Sequence, residues 1–67
     1  MNAEEMFEKL GYKKEDFSSS GYIYYERAEN DEYFSFDLIS KEISAYSYSI
    51  TIEELRAINK QCEELGW

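Results

Sequence analysis

The sequence predicts an α+β domain of order α-β-β-β-α, a three-stranded antiparallel meander with two helices packed on one face. Three observations predict it. Apolar residues recur at helical spacing near both ends of the chain, each run opened by a capping signal and closed by glycine. The segments between them alternate with period two and are rich in tyrosine, phenylalanine and isoleucine. The connections between those segments are too short for a parallel crossover, so neighbours must run antiparallel.

The first helix opens at Asn2, with Glu5 placed three residues on to complete a capping box. Ala3, Met6, Phe7 and Leu10 form one apolar stripe. Gly11 stops the helix and sets Tyr12 for the apolar contact that accompanies a glycine C-cap. Residues 13–21 read as a loop anchored by Phe17, with Ser18-Ser19-Ser20-Gly21 as its flexible end.

Strands follow at Tyr22 to Arg27, Glu32 to Ile39 and Glu42 to Ile50. Ala28-Glu29-Asn30-Asp31 joins the first two as a four-residue turn, and Ser40-Lys41 joins the last two as a two-residue turn. Those lengths fix a register. Leu38 faces Ile43, Phe36 faces Ala45 and Phe34 faces Ser47, while Tyr25 faces Phe34 and Ile23 faces Phe36. The other side receives three rows: Tyr22-Asp37-Ser44, Tyr24-Ser35-Tyr46 and Glu26-Tyr33-Tyr48.

The last helix opens on Thr51-Ile52-Glu53-Glu54, a second capping box, with Ile50 and Leu55 in the positions of a hydrophobic staple. Leu55, Ile58, Cys62 and Leu65 form the buried stripe, and Gly66 ends the helix with Trp67 folding back. The two helical stripes need a partner, and the apolar sheet face supplies it.

The chain has 67 residues, enough for a single domain. Fifteen acids against seven bases give a net charge of −8, which opposes binding to nucleic acid and to anionic membranes and serves either simple solubility or a basic partner. No apolar run approaches the roughly 20 residues of a membrane span. The first residues lack the basic and apolar regions of a signal peptide, so a cytoplasmic location is expected. One cysteine excludes an intramolecular disulfide, and without histidine nothing resembles a zinc or copper site.

Catalytic chemistry finds no foothold. Cys62 lies on the buried stripe, where cysteine behaves as a small hydrophobe, and the commonest general base is missing. Asp37, between Tyr22 and Ser44, reads as a solvated edge residue or an acceptor for tyrosine hydroxyls rather than a carboxyl of raised pKa. Glu29, Asp31 and Glu32 match no complete EF-hand loop and read as a charged turn. No catalytic, cofactor or metal residue is assigned, and the protein is not expected to be an enzyme.

The candidate site is a partner-binding face. It gathers Tyr22, Tyr24, Tyr33, Tyr46 and Tyr48, five of the seven tyrosines, with Ser35 and Asp37 among them. Glu26, Glu29, Asp31 and Glu32 add negative charge at one hairpin end. Tyrosine suits interfaces because it brings a large contact area, a polar tip and little rotamer entropy. In the expected register Ser35 separates Tyr24 from Tyr46 by about 10 Å, a shallow slot for a partner side chain. The face stays open unless Tyr12, Phe17 or Trp67 wraps over it. The expected partner is a basic host protein, with charge mimicry of nucleic acid as one route. The alternative is a homodimer through this face or an edge strand.

Two stretches carry a resemblance: Ala3-Glu4-Glu5-Met6-Phe7-Glu8-Lys9-Leu10-Gly11-Tyr12, and Leu55 through Trp67. With the tyrosine-rich strands between them, the whole chain resembles small phage and prophage proteins of Gram-positive bacteria, a group without an assigned activity. The resemblance implies a mobile-element origin and action inside a bacterial cell.

Overall fold

The computed structural model describes residues 1–47 and 49–67. Helix α1 (Ala3–Lys9) leads into strand β1 (Lys13–Phe17), and a single 3-10 turn at Ser18–Ser20 leads into β2 (Tyr22–Arg27). A second 3-10 turn at Ala28–Asn30 leads into β3 (Glu32–Asp37), followed by β4 (Glu42–Tyr46) and helix α2 (Ile52–Glu64). The protein is therefore α+β, with an antiparallel sheet in the order β1-β2-β3-β4.

Both helices begin and end as their sequences dictate. Glu5 N–H donates to Asn2 Oδ1 at 2.8 Å and Asn2 N–H donates back to Glu5 Oε1 at 2.9 Å. Thr51 and Glu54 repeat the exchange at 2.9 and 3.0 Å. At the other ends, Tyr12 N–H reaches the Phe7 carbonyl and Gly11 N–H the Glu8 carbonyl, while Trp67 reaches Cys62 and Gly66 reaches Glu63. These are two Schellman motifs, each with glycine in the left-handed region at φ 91° and 76°. The accompanying contact is present too: Tyr12 meets the Phe7 ring edge-on at 5.7 Å.

The sheet corrects two expectations. Residues 13–17 form a fourth strand instead of a loop, antiparallel to β2 with Lys13 opposite Glu26 and Phe17 opposite Tyr22. None of its five residues is fully buried, so no hydrophobic alternation marks it; backbone pairing to β2 carries it. The second correction concerns the β3–β4 hairpin. The strands stop at Asp37 and restart at Glu42, leaving a four-residue turn in place of two. Phe36 therefore pairs with Ile43, Phe34 with Ala45 and Tyr33 with Tyr46. The register is two residues from the expected one, which keeps every side chain on its face but changes its neighbours.

The reason lies in turn chemistry. A two-residue hairpin needs positive φ at both central positions, and Ser40-Lys41 lacks the Asn-Gly type of sequence that supplies it. The chain instead makes one left-handed residue, Lys41 at φ 59°. Asp37 stabilises this turn by accepting the N–H groups of Ile39 and Ser40 at 2.9 and 3.0 Å. The three sheet connections thus share a design. Gly21, Asp31 and Lys41 are the left-handed residues, ten positions apart, and each immediately precedes a strand.

The core lies between the helices and one face of the sheet. Phe7, Tyr25, Phe34 and Phe36 are its largest fully buried side chains. Phe7 of α1 stacks on Tyr25 at 3.9 Å between ring centroids, and Ile23, Ala57 and Ile58 complete the cluster. The buried stripe of α2 differs from the expected one. Leu55 is exposed, as is its proposed staple partner Ile50, while Glu54, Ala57, Ile58 and Gln61 are buried. Two polar residues face the core because tyrosines there carry hydroxyls that need acceptors: Tyr12 donates to Glu54 at 2.7 Å and Tyr25 to Gln61 at 2.5 Å.

Candidate functional site

The side of the sheet away from the helices carries the candidate face. The β1–β2 and β2–β3 pairings put Phe17 beside Tyr22, Glu15 beside Tyr24 and Ser35, and Lys13 beside Glu26 and Tyr33. The β3–β4 pairing adds Glu42 beside Asp37, Ser44 beside Ser35 and Tyr46 beside Tyr33. Tyr12 and Trp67 do not cover this face. Tyr12 belongs to the buried cluster under the helices, and Trp67 packs near Phe36 at 6.4 Å on the same side. Phe17 lies on the face itself, next to Tyr22 at 5.1 Å, and stays 40% exposed.

The expected slot across Ser35 is absent. The two-residue register change moves Tyr46 from the Ser35 row to the Tyr33 row, and the rings close into a continuous ladder. Tyr24 stacks on Tyr33 at 5.2 Å and 29°, and Tyr33 stacks on Tyr46 at 5.8 Å and 6°. Three strands contribute one ring each. Stacking half-buries Tyr24 and Tyr33, while Tyr46 ends the ladder 61% exposed. Rings held this way have little rotamer freedom left to lose on binding. Burial, and then the negative charge of Glu26, raises the Tyr24 phenol above its ordinary value, so it remains a neutral hydroxyl.

The acids expected at the site divide. Glu26, Asp37 and the added Glu15 and Glu42 lie on the tyrosine side. Glu29 and Asp31 are exposed at the turn between β2 and β3. Glu32, expected at the hairpin end, lies there opposite Arg27 but not on the tyrosine side. It shares the helix side with Phe34 and Phe36, where it pairs with Arg27 and accepts the Ser47 hydroxyl at 2.9 Å. The Arg27 guanidinium, followed by the Ser47 hydroxyl, holds its carboxyl below the usual range. Asp37 is also held low, by the N–H groups of Ser40 and then Ile39; it is spoken for by the turn as much as by the face. Tyr48, the fifth tyrosine assigned to the face, lies outside the described residues.

Four members of the face are not among the expected ones: Lys13, Glu15, Phe17 and Glu42. The first three sit on the charged strand that reads as a loop; the register change brings Glu42 beside Asp37 and moves Ser44 from the Asp37 row to the Ser35 row. The signal that finds them is the spacing of the turns. Gly21, Asp31 and Lys41 recur every ten residues, and ten-residue units place a strand before Gly21 as well.

Elsewhere, Arg27 organises a second polar group. It donates to the Leu10 carbonyl at 2.9 Å, lies 4.8 Å from the Tyr12 ring centre and sits 3.7 Å from Glu54 Oε2. This group joins the end of α1, two strands and the start of α2, and every member has a partner. Cys62 is half-buried and its thiol is pushed up by burial, away from the nucleophilic thiolate. A shallow cleft of about 230 Å³ opens between the helices, lined by Met1, Met6, Lys9, Leu10, Glu53 and Arg56. Among the described residues no three His, Cys, Asp or Glu side chains cluster closely enough to hold a metal ion. Among the described residues no helix is long and apolar enough to cross a membrane. No family model, curated protein or solved structure matches the chain.

Proposed function

We propose that this protein is a non-enzymatic protein-binding module of phage or prophage origin that engages a basic surface of a host protein inside the cell. The observation that carries the reading is the stacked Tyr24–Tyr33–Tyr46 ladder on the face the helices leave uncovered, set among carboxylates. Tyrosine faces attract cations, and guanidinium groups attract most because they also form forked bonds to carboxylates. Glu15, Glu26 and Glu42 stand beside the rings to supply them. A net charge of −8 draws a basic partner from a distance and repels acidic ones. A basic groove that otherwise holds nucleic acid fits this chemistry, and the protein would compete for it by mimicking phosphate charge.

The test is affinity capture from a lysate of a Gram-positive bacterium, using the wild type and Tyr22→Lys/Tyr24→Lys. The wild type should retain a basic protein that elutes with salt and is displaced by added nucleic acid. The variant, folded by circular dichroism, should not retain it. Equal capture by both chains removes the tyrosine face as the contact surface.

A further inference from the structure

We infer that β4 is the docking edge for a second copy of this chain, which joins two sheets into one of eight strands around a two-fold axis. The helices cover β2 and β3 but stop short of β4. Along one cross-strand row, exposure runs from Ile23 at 7% through Phe36 at 0% to Ile43 at 40%. Ala45, beside the fully buried Phe34, is exposed as well. On the opposite face the tyrosine ladder runs to the same edge and ends at exposed Tyr46. Among the described residues both layers of the domain therefore end at β4.

The two edges of the sheet are not equivalent. β1 carries Lys13, Lys14, Glu15 and Asp16 in five residues, the charge that natural proteins place on an edge to block strand addition. β4 carries only Glu42, at its first position, in the segment Glu42-Ile43-Ser44-Ala45-Tyr46. Its pairing with β3 is continuous, with no bulge to twist it away, and the chain contains no proline.

A second copy fits this edge by geometry. An antiparallel pair related by a two-fold axis perpendicular to the sheet must keep each face on its own side. Tyrosine side meets tyrosine side, and helix side meets helix side. Setting Ser44 on the axis pairs all five residues of the strand: Glu42 with the second copy's Tyr46, Ile43 with its Ala45, and Ser44 with its Ser44. Large then meets small on the helix side. Each Glu42 faces a tyrosine instead of the other Glu42, so no like charges oppose each other across the seam. The ladder of one copy approaches the ladder of the other, doubling the aromatic face while leaving Tyr22 and Tyr24 two strands from the seam. The dimer is independent of the host-partner reading, since it uses the edge and not the open face.

The experiment is sedimentation equilibrium over a dilution series to millimolar, joined to cysteine cross-linking in a Cys62→Ser background. Wild type should move from the 8.0 kDa chain mass to twice that value. Ser44→Lys, which places two like charges face to face at an exposed position, should raise the dissociation constant about fivefold or more. Tyr22→Lys/Tyr24→Lys should leave it unchanged. Ser44→Cys should oxidise to a disulfide-linked dimer, because paired strands bring those Cα atoms within disulfide range, while Lys13→Cys on β1 should not. A monomer at every concentration overturns the inference. So does a dimer indifferent to Ser44→Lys that Ser44→Cys fails to cross-link, or growth past the dimer, which would mean that β4 seeks β1.

Discussion

Glu54 and Glu5 occupy the same place in two capping boxes, yet they do different amounts of work. Glu5 is exposed and only closes its box. Glu54 is 3% exposed, closes its box, accepts the Tyr12 hydroxyl and neighbours Arg27. Glu5→Ala should therefore cost less than about 1 kcal/mol, the typical loss for an N-cap residue, because the Asn2 cap on the residue-5 N–H remains. Glu54→Ala should cost about 2–4 kcal/mol, because it also leaves a buried tyrosine hydroxyl without an acceptor and Arg27 short of a partner. Urea denaturation of both variants measures the difference, and equal losses would mean that the Tyr12–Glu54 bond contributes nothing beyond the cap. Burial of the two tyrosine hydroxyls governs alkaline behaviour. Burial, then hydrogen bonding to Glu54, raises the Tyr12 phenol far above its ordinary value near 10; burial, then the charge of Glu4, does the same for Tyr25. A pKa raised in the folded state means stability that is full below the unfolded value and lost as pH rises past it. Ultraviolet titration should show Tyr12 and Tyr25 ionising late, together with unfolding, above about pH 10. Ionisation of these two near the ordinary value with folding intact would contradict their burial.

Turns decide the elements of this fold, and turns explain what the sequence does and does not disclose. Both helices are legible to within a residue or two because Asn2, Glu5, Thr51, Glu54, Gly11 and Gly66 act through local backbone bonds. The first hairpin is legible because a four-residue connection leaves one register that keeps Tyr25 and Phe34 together. β1 is not, because its charged residues pair through the backbone, which every sequence has. The second hairpin misleads because Lys41, a residue with no preference for positive φ, occupies the left-handed position. Its left-handed backbone costs about 1 kcal/mol relative to glycine. Lys41→Gly should raise stability by a few tenths to 1 kcal/mol, offset in part by glycine's greater unfolded freedom. Gly21→Ala should lower it by about 1–2 kcal/mol, since φ 91° is strained for alanine and the new Cβ would lie 3.2 Å from Ile39 Cδ1. Opposite signs at these two equivalent positions, read as shifts in urea midpoint, would establish that one turn geometry is used twice. A loss at both would show that Lys41 is held by something other than its backbone. The tyrosine ladder depends on this turn: two residues more in the strands, and Tyr46 would stand in the Ser35 row.

At the scale of the molecule, charge and compactness pull against each other. The radius of gyration is 10.9 Å, what a folded chain of 67 residues should have. Confining a net charge of −8 in that volume destabilises the folded state through self-repulsion, which weakens as pH falls from 7 toward the isoelectric value near 4.3. Local contacts act in the opposite direction at lower pH. Asp16 is held low by Ser18, Glu32 by Arg27 and Asp37 by Ser40. A carboxyl whose pKa is lowered on folding contributes stability that is present above the unfolded value, about 4, and lost as pH falls through the folded one. The ordering of these effects puts the stability maximum on the acid side of neutral, near pH 5. Above it repulsion grows, and below it the carboxylate contacts at the turns and at Arg27 fail. Trp67 reports the transition, because its ring packs near buried Phe36 and unfolding exposes it. Urea midpoints from its fluorescence should peak near pH 5 at low salt. Adding about 0.5 M NaCl should raise the pH 7 midpoint more than the pH 5 midpoint, since screening relieves repulsion only where repulsion exists. A maximum at or above pH 8, or a salt effect equal at both pH values, would show that self-repulsion does not set the stability of this fold.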